Sequence, residues 1–174
     1  MTAEVSSERL IKFLELLGLH YSNKERLILL GGCALNLLGS GRPTLDIDYV
    51  GNDLIKGKFD FYLEEVAHKL QMDIEAVPIE KFLPVTREDM EGCLAFGKFG
   101  EIDVYILNPY IIAFSKVERG FDTDIEDVLF LIKNKFIEPE ILTFRIGNIL
   151  MQANKFDIDR NSVMNHWHDI LRQL

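Results

Sequence analysis

Apolar and polar residues recur along this chain with two periods, and the switches between them mark its elements. Leu10, Phe13, Leu14 and Leu17 follow Ser6-Ser7-Glu8-Arg9 at helical spacing, which predicts a capped amphipathic helix ending near Gly18. Arg26 to Leu30 is a short apolar run closed by Gly31-Gly32, and its length favours a buried strand. Cys33 to Leu38 reads as helix, closed by Gly39-Ser40-Gly41. Thr44 to Val50 alternates, with Leu45, Ile47 and Tyr49 on one side and Asp46 and Asp48 on the other, which is a strand. Phe59, Tyr62, Leu63, Val66 and Leu70 return to helical spacing. Met72 to Val77 reads as a strand before Pro78. Cys93 to Phe96 and Ile102 to Ile106 read as a strand pair, with Lys98 to Glu101 as the hairpin.

After Asn108-Pro109 the strand period disappears. Ile111 to Lys116, Ile125 to Ile132, Ile141 to Met151 and Val163 to Leu174 all carry helical spacing. The expected organisation is an α/β domain over 1–108 and a helical extension over 109–174 packed on it. The fold class is α/β, a small mixed twisted sheet of about four or five strands with packed helices. The last third is expected to form a helical layer that closes a cleft.

Composition narrows the function classes. Nearly half of the 174 residues are apolar and only 5 are proline, so a real core can form. The net charge of −9, with no run of Lys and Arg, argues against broad nucleic-acid binding through phosphates. One basic pocket is still compatible with that charge. Cys33 and Cys93 have neither metal-ligand nor disulfide-framework spacing, which suits a reducing, cytoplasmic compartment. Met1 to Arg9 has no apolar leader pattern, and no stretch approaches the ~20 apolar residues of a membrane span. A protein without a secretory leader or membrane anchor is expected.

Three features carry chemistry. The first is strand, Gly31-Gly32, helix. The glycines let a ligand come close to the backbone, and the first turn of the helix points its N–H groups at that space, a natural phosphate seat. A plain tight turn explains the same residues. The second is Asp46-Ile47-Asp48, whose carboxylates share a strand face with α-carbons roughly 6.6 Å apart. A cation relieves their repulsion, and oxygen-only ligands suit Mg²⁺ or Mn²⁺. A solvated strand face is the bland alternative. The third is Asp103, a lone carboxylate in the apolar run Ile102 to Leu107. If its strand neighbours that of Asp46 and Asp48, three carboxylates converge and can hold metal ions for displacement at phosphorus. Otherwise it faces water.

Together these residues resemble the hallmark of the DNA polymerase β-like nucleotidyltransferase superfamily: Gly-Gly, a gap, Asp-x-Asp, then a third Asp on a later strand. Gly31-Gly32-Cys33-Ala34-Leu35 and Arg42-Pro43-Thr44-Leu45-Asp46-Ile47-Asp48 are similar to the small bacterial members, including the abortive-infection toxin type. Ser115-Lys116-Val117-Glu118-Arg119 and Asp122 to Val128 match a later segment of those proteins. The resemblance implies a nucleotidyltransferase-like fold and transfer of a nucleoside monophosphate from a nucleoside triphosphate to a hydroxyl on RNA, protein or a small molecule. It implies Mg²⁺ or Mn²⁺ on Asp46, Asp48 and Asp103 as catalytic residues. Gly31, Gly32 and Cys33 would line the triphosphate, and Lys116 and Arg42 are candidate nucleotide contacts. A small cognate partner protein, as in a toxin–antitoxin pair, is also implied. Cys33 stands where many active members have Ser or Thr, and a thiol is the weaker donor. That keeps open a second reading, a non-catalytic nucleotide sensor or interaction module.

Other residues read as structural. Asp124 and Asp127 suit a helix start, with Arg119 as a partner for one of them. His166 and His168 do not share a helix face, so they are no metal pair. Trp167 belongs to a stripe that is core or dimer contact. Phe59, Phe61 and Tyr62 are core candidates, Cys93 a small buried strand residue, and His68 a surface residue.

Overall fold

The computed structural model describes residues 4–174. Met1 to Ala3, and with them part of the leader expectation, lie outside the described residues. The chain divides into two compact units, one holding the residues up to Pro78 with Cys93–Leu107, the other Ile79–Gly92 with Asn108–Leu174. The segment Ile79–Gly92, expected with the sheet domain, groups with the helices. It carries a short helix that the periodicity did not reveal.

The first unit is a mixed α/β unit. Its elements are α1 (Ser7–His20), β1 (Glu25–Leu30), α2 (Gly31–Leu37), β2 (Asp46–Val50), α3 (Lys58–Lys69), β3 (Asp73–Val77), β4 (Leu94–Phe99) and β5 (Ile102–Ile106). The 5 strands lie in the order β3-β2-β1-β5-β4. β2 runs parallel to β3 and antiparallel to β1, while β5 runs parallel to β1 and antiparallel to β4. The result is the mixed, twisted sheet with packed helices expected of a nucleotidyltransferase-like fold.

Local chemistry explains the element ends. The Ser6 hydroxyl caps α1 by accepting from the Arg9 amide, and Leu10, Phe13, Leu14 and Leu17 bury the inner face. Gly18 does not end α1. A Cβ there would lie 2.6 Å from the Phe99 carbonyl carbon, so the glycine lets the helix pass close to the β4–β5 turn. On the sheet, Leu27, Leu29, Ile47, Tyr49, Val104 and Ile106 are buried, and their alternation places them on one face. Leu45, expected on that face, precedes β2 and is 70 % exposed. Phe61, expected in the core, is also exposed, whereas Phe59 and Tyr62 pack on the Tyr21 ring. Cys93 lies just before β4 and is half-buried.

The second unit holds α4 (Arg87–Glu91), α5 (Pro109–Arg119), α6 (Asp122–Lys133), α7 (Pro139–Leu150) and α8 (Arg160–Leu171). Asn108 caps α5 through the Tyr110 amide, Pro109 fills its first turn, and Gly120 ends it in the left-handed conformation. Phe114, Val117, Val128, Leu131, Leu142, Ile146, Val163 and Trp167 are buried in this unit. Trp167 is core, its indole N–H donating to the Thr143 hydroxyl at 3.0 Å. His166 lies with Nδ1 2.7 Å from the Val117 carbonyl oxygen.

Candidate active site

β1 delivers the chain to Gly31 and Gly32, which form the first turn of α2 rather than a loop before it. Gly31 has φ +67°, the left-handed region that favours glycine, and a Cβ on it would strike the Asp48 carboxylate. A Cβ on Gly32 would lie 2.7 Å from the Thr44 hydroxyl oxygen. Both glycines are therefore demanded by close approach to the residues that enter and form β2. Thr44 is itself pinned. Its backbone exchanges hydrogen bonds with Val5 at 2.7 and 3.2 Å, an isolated bridge that no local pattern signals. Its hydroxyl donates to Asp46 at 3.4 Å.

Asp46 and Asp48 share one face of β2, as the period of two requires. Asp48 stands opposite Leu30 in the antiparallel register and opposite Glu75 in the parallel register with β3. Asp46, Asp48 and Glu75 each bring one carboxylate oxygen within 4.8 Å of the others, the one such group of metal-ligating residues among the described residues. The donor set is oxygen only, which fits Mg²⁺ or Mn²⁺ rather than zinc. Glu75 escaped the sequence reading. It sits in a strand that was legible, but the register that pairs it with Asp48 is not local.

Asp103 does not join this group. In β5 it pairs with Arg26 of β1 and Lys98 of β4, four residues along from the level of Leu30 and Asp48. It lies on the same sheet face but two strands away, ~10 Å across and ~13 Å along the strands from Asp48. It is exposed between two basic neighbours. The expectation of convergence assumed that β5 neighbours β2, and β1 lies between them.

Cys33 turns inward. Its sulfur lies 3.0 Å from the Leu30 carbonyl oxygen and 3.5 Å from that of Asp48, and the residue is fully buried. Burial pushes the thiol up to about 12, and the negative charges of Asp48 and Asp46 add to the rise. The thiol is thus a packing group under the site. No side chain caps α2, so what its first turn offers a ligand is backbone amides. Arg42 is half-buried, and its carbonyl accepts from the Asn36 carboxamide at 3.0 Å, tying its loop to α2.

Lys116 is committed within the helical unit. Its ammonium lies 3.0 Å from Asp124 and 2.8 Å from Asp127, and all three side chains are buried. Arg119 adds a two-pronged pair to Asp124 at 2.5 and 3.1 Å. Burial alone would raise the Asp124 carboxyl, but the hydrogen bonds from Arg119 and Lys116 hold it below the usual carboxylate range. The Lys116 to Asp127 segment is a buried ionic junction joining α5 to α6 across Gly120.

A mixed sheet with a glycine turn pressed against a strand-borne Asp-x-Asp defines the chain as nucleotidyltransferase-like. The family described as nucleotidyltransferase of unknown function (DUF6036) matches residues 8–174, and the chain belongs to that family. No curated protein and no solved structure matches it. Among the described residues, no helix is long and apolar enough to cross a membrane.

Proposed function

We propose that this chain transfers a nucleoside monophosphate from a nucleoside triphosphate to a hydroxyl acceptor, with Asp46, Asp48 and Glu75 as ligands for Mg²⁺ or Mn²⁺. The observation that carries this reading is the convergence of three carboxylates beside the Gly31-Gly32 turn. A divalent ion held there would offset the carboxylate repulsion and supply Lewis-acid stabilisation of phosphate charge. Gly31 and Gly32 let α2 start hard against Asp48 and Thr44, and the first-turn amides of α2 can donate to phosphate oxygens. Thr44 holds Asp46 in orientation through its hydroxyl. The third carboxylate, assigned to Glu75 instead of Asp103, can also receive the proton of the attacking hydroxyl when it faces the acceptor.

The acidic balance of the chain favours a protein side chain or small molecule over bulk RNA as acceptor. Work within the cytoplasm is supported by the cysteine usage, and a small cognate partner, as in a toxin–antitoxin pair, by the resemblance of the motifs. The inward thiol of Cys33 favours one second reading, a nucleotide sensor without turnover, because position 33 then offers a phosphate no side-chain donor. Thermal unfolding with Mg²⁺ and each triphosphate, followed by labelled-triphosphate transfer assays, separates these readings. Nucleotide-dependent stabilisation should vanish in Asp46→Asn and Asp48→Asn; if it persists in both, the site assignment is wrong. Stabilisation without transfer to any acceptor favours the sensor.

A further inference from the structure

The carboxamide of Asn36 sits where three segments meet. Asn36 lies on α2 and is 5 % exposed. Its nitrogen donates to the Arg42 carbonyl at 3.0 Å and to the Val5 carbonyl at 3.4 Å. Val5 precedes α1, and its carbonyl also accepts from the Thr44 amide at 3.2 Å. One side chain thus joins α2, the segment before α1 and the loop that enters β2.

Gly32 and Asn36 are four residues apart and share a face of α2. That face meets the Arg42 to Thr44 loop twice, at Gly32 by close approach to the Thr44 hydroxyl oxygen and at Asn36 by hydrogen bonds. Earlier in the loop, Gly39 and Gly41 take φ +97° and +69°, and nothing in the chain lies within 4 Å of a Cβ at either. These two turns stand in open space, which leaves the ties at Arg42 and Thr44 to locate the loop.

The other half of the carboxamide is the second observation. Asn36 Oδ1 is buried and accepts no hydrogen bond within the chain. Turning the amide over would set that oxygen against two carbonyl oxygens, so the donors fix its orientation. A buried acceptor without a donor is destabilising, and an apolar side chain of similar size would remove that cost. Core stability therefore does not account for an amide at this position, and the work of its donors does.

We propose that Asn36 is a positioning residue for the carboxylate group. Its carboxamide clamps the Val5–Thr44 bridge and the Arg42 turn onto α2, and the Thr44 hydroxyl then holds Asp46 within reach of Asp48 and Glu75. Asn36 acts only through Thr44. This role rests on the reading of Asp46, Asp48 and Glu75 as metal ligands.

Mn²⁺ titration followed by water-proton relaxation, with amide hydrogen exchange on the same samples, tests this. Asn36→Leu fills similar space without donors. It should weaken Mn²⁺ affinity by about 10–100-fold, the usual effect of losing a group that orients a metal ligand. Thr44→Val should do the same, and the double variant should lose no more than either alone, because both act along one route. The Val5 and Thr44 amides should exchange faster in Asn36→Leu while the β1 amides keep their rates, a pattern that a general loss of stability would not produce. Asn36→Ala, a good helix former that needs no added room, carries the same test if Asn36→Leu does not fold. Wild-type affinity that both Asn36 variants retain overturns the positioning role alone, and so do losses that add in the double variant. A wild type that binds no Mn²⁺ overturns the metal reading beneath it, and this role with it.

Discussion

The Asp48 carboxylate occupies the space that any side chain at Gly31 would need. The glycine turn and the acidic strand are therefore one assembly, because β1 and β2 pair with Leu30 opposite Asp48. A change in the turn must disturb the carboxylate. Gly31→Ala combines a left-handed backbone strain of about 1–2 kcal/mol with a displaced Asp48. The variant should unfold at lower denaturant and lose the Mg²⁺-dependent thermal shift with triphosphate. A variant that keeps the full shift would show that Asp48 need not hold this position.

Glu75 and Asp103 make opposite predictions. Removing a group that merely supports a metal ligand costs about 10–100-fold in affinity, and Glu75→Gln should cost no less if Glu75 is a direct ligand. Asp103→Asn should leave Mn²⁺ affinity unchanged, because Asp103 sits four residues along from the level of the site. Mn²⁺ titration followed by water-proton relaxation measures both. Equal losses in the two variants would mean that the carboxylate group identified here is not the metal site.

The ionic junction predicts a stability effect without a metal effect. Lys116→Met leaves Asp124 and Asp127 buried without their ammonium partner, which should cost about 3–5 kcal/mol in urea unfolding. The Asp124 carboxyl is depressed in the folded protein, so its contribution is complete above the unfolded value of about 3.9. It is lost as pH falls through the lower folded value. Stability should therefore drop on acidification below about pH 4, and Asp124→Asn, destabilised at neutral pH, should show a shallower drop.

Cys33 and Cys93 should differ toward thiol reagents. The Cys33 thiol is buried and pushed up to about 12, so at neutral pH it carries almost no thiolate. Cys93 is half-buried. Mass spectrometry after brief iodoacetamide treatment should place modification on Cys93 in the native protein and on both residues in denaturant. Rapid native labelling of Cys33 would contradict the inward packing.

Much of the fold was legible because its signals are local. The strict alternation through Asp46, Ile47 and Asp48 sets the two carboxylates on one face whatever the strand pairs with. The helical stripe of Leu10, Phe13, Leu14 and Leu17 and the cap at Ser6 placed α1 within a few residues. The extension of α1 past Gly18 was not legible, because that glycine answers a contact with Phe99, distant in the chain. The same holds for Lys116. Its position in the sequence suited a phosphate contact, but the turn at Gly120 brings Asp124 and Asp127 back onto it.

The sequence by itself determined most of the strands and helices, the shared face of Asp46 and Asp48, and a glycine pair between strand and helix. Those follow from backbone period and residue chemistry over a few positions. Tertiary structure decided which third carboxylate meets the pair. Strand order puts β3 beside β2 and β1 between β2 and β5, so Glu75 stands opposite Asp48 and Asp103 stands apart. Strand order and register come from packing between residues far apart in the chain, and no local pattern encodes them.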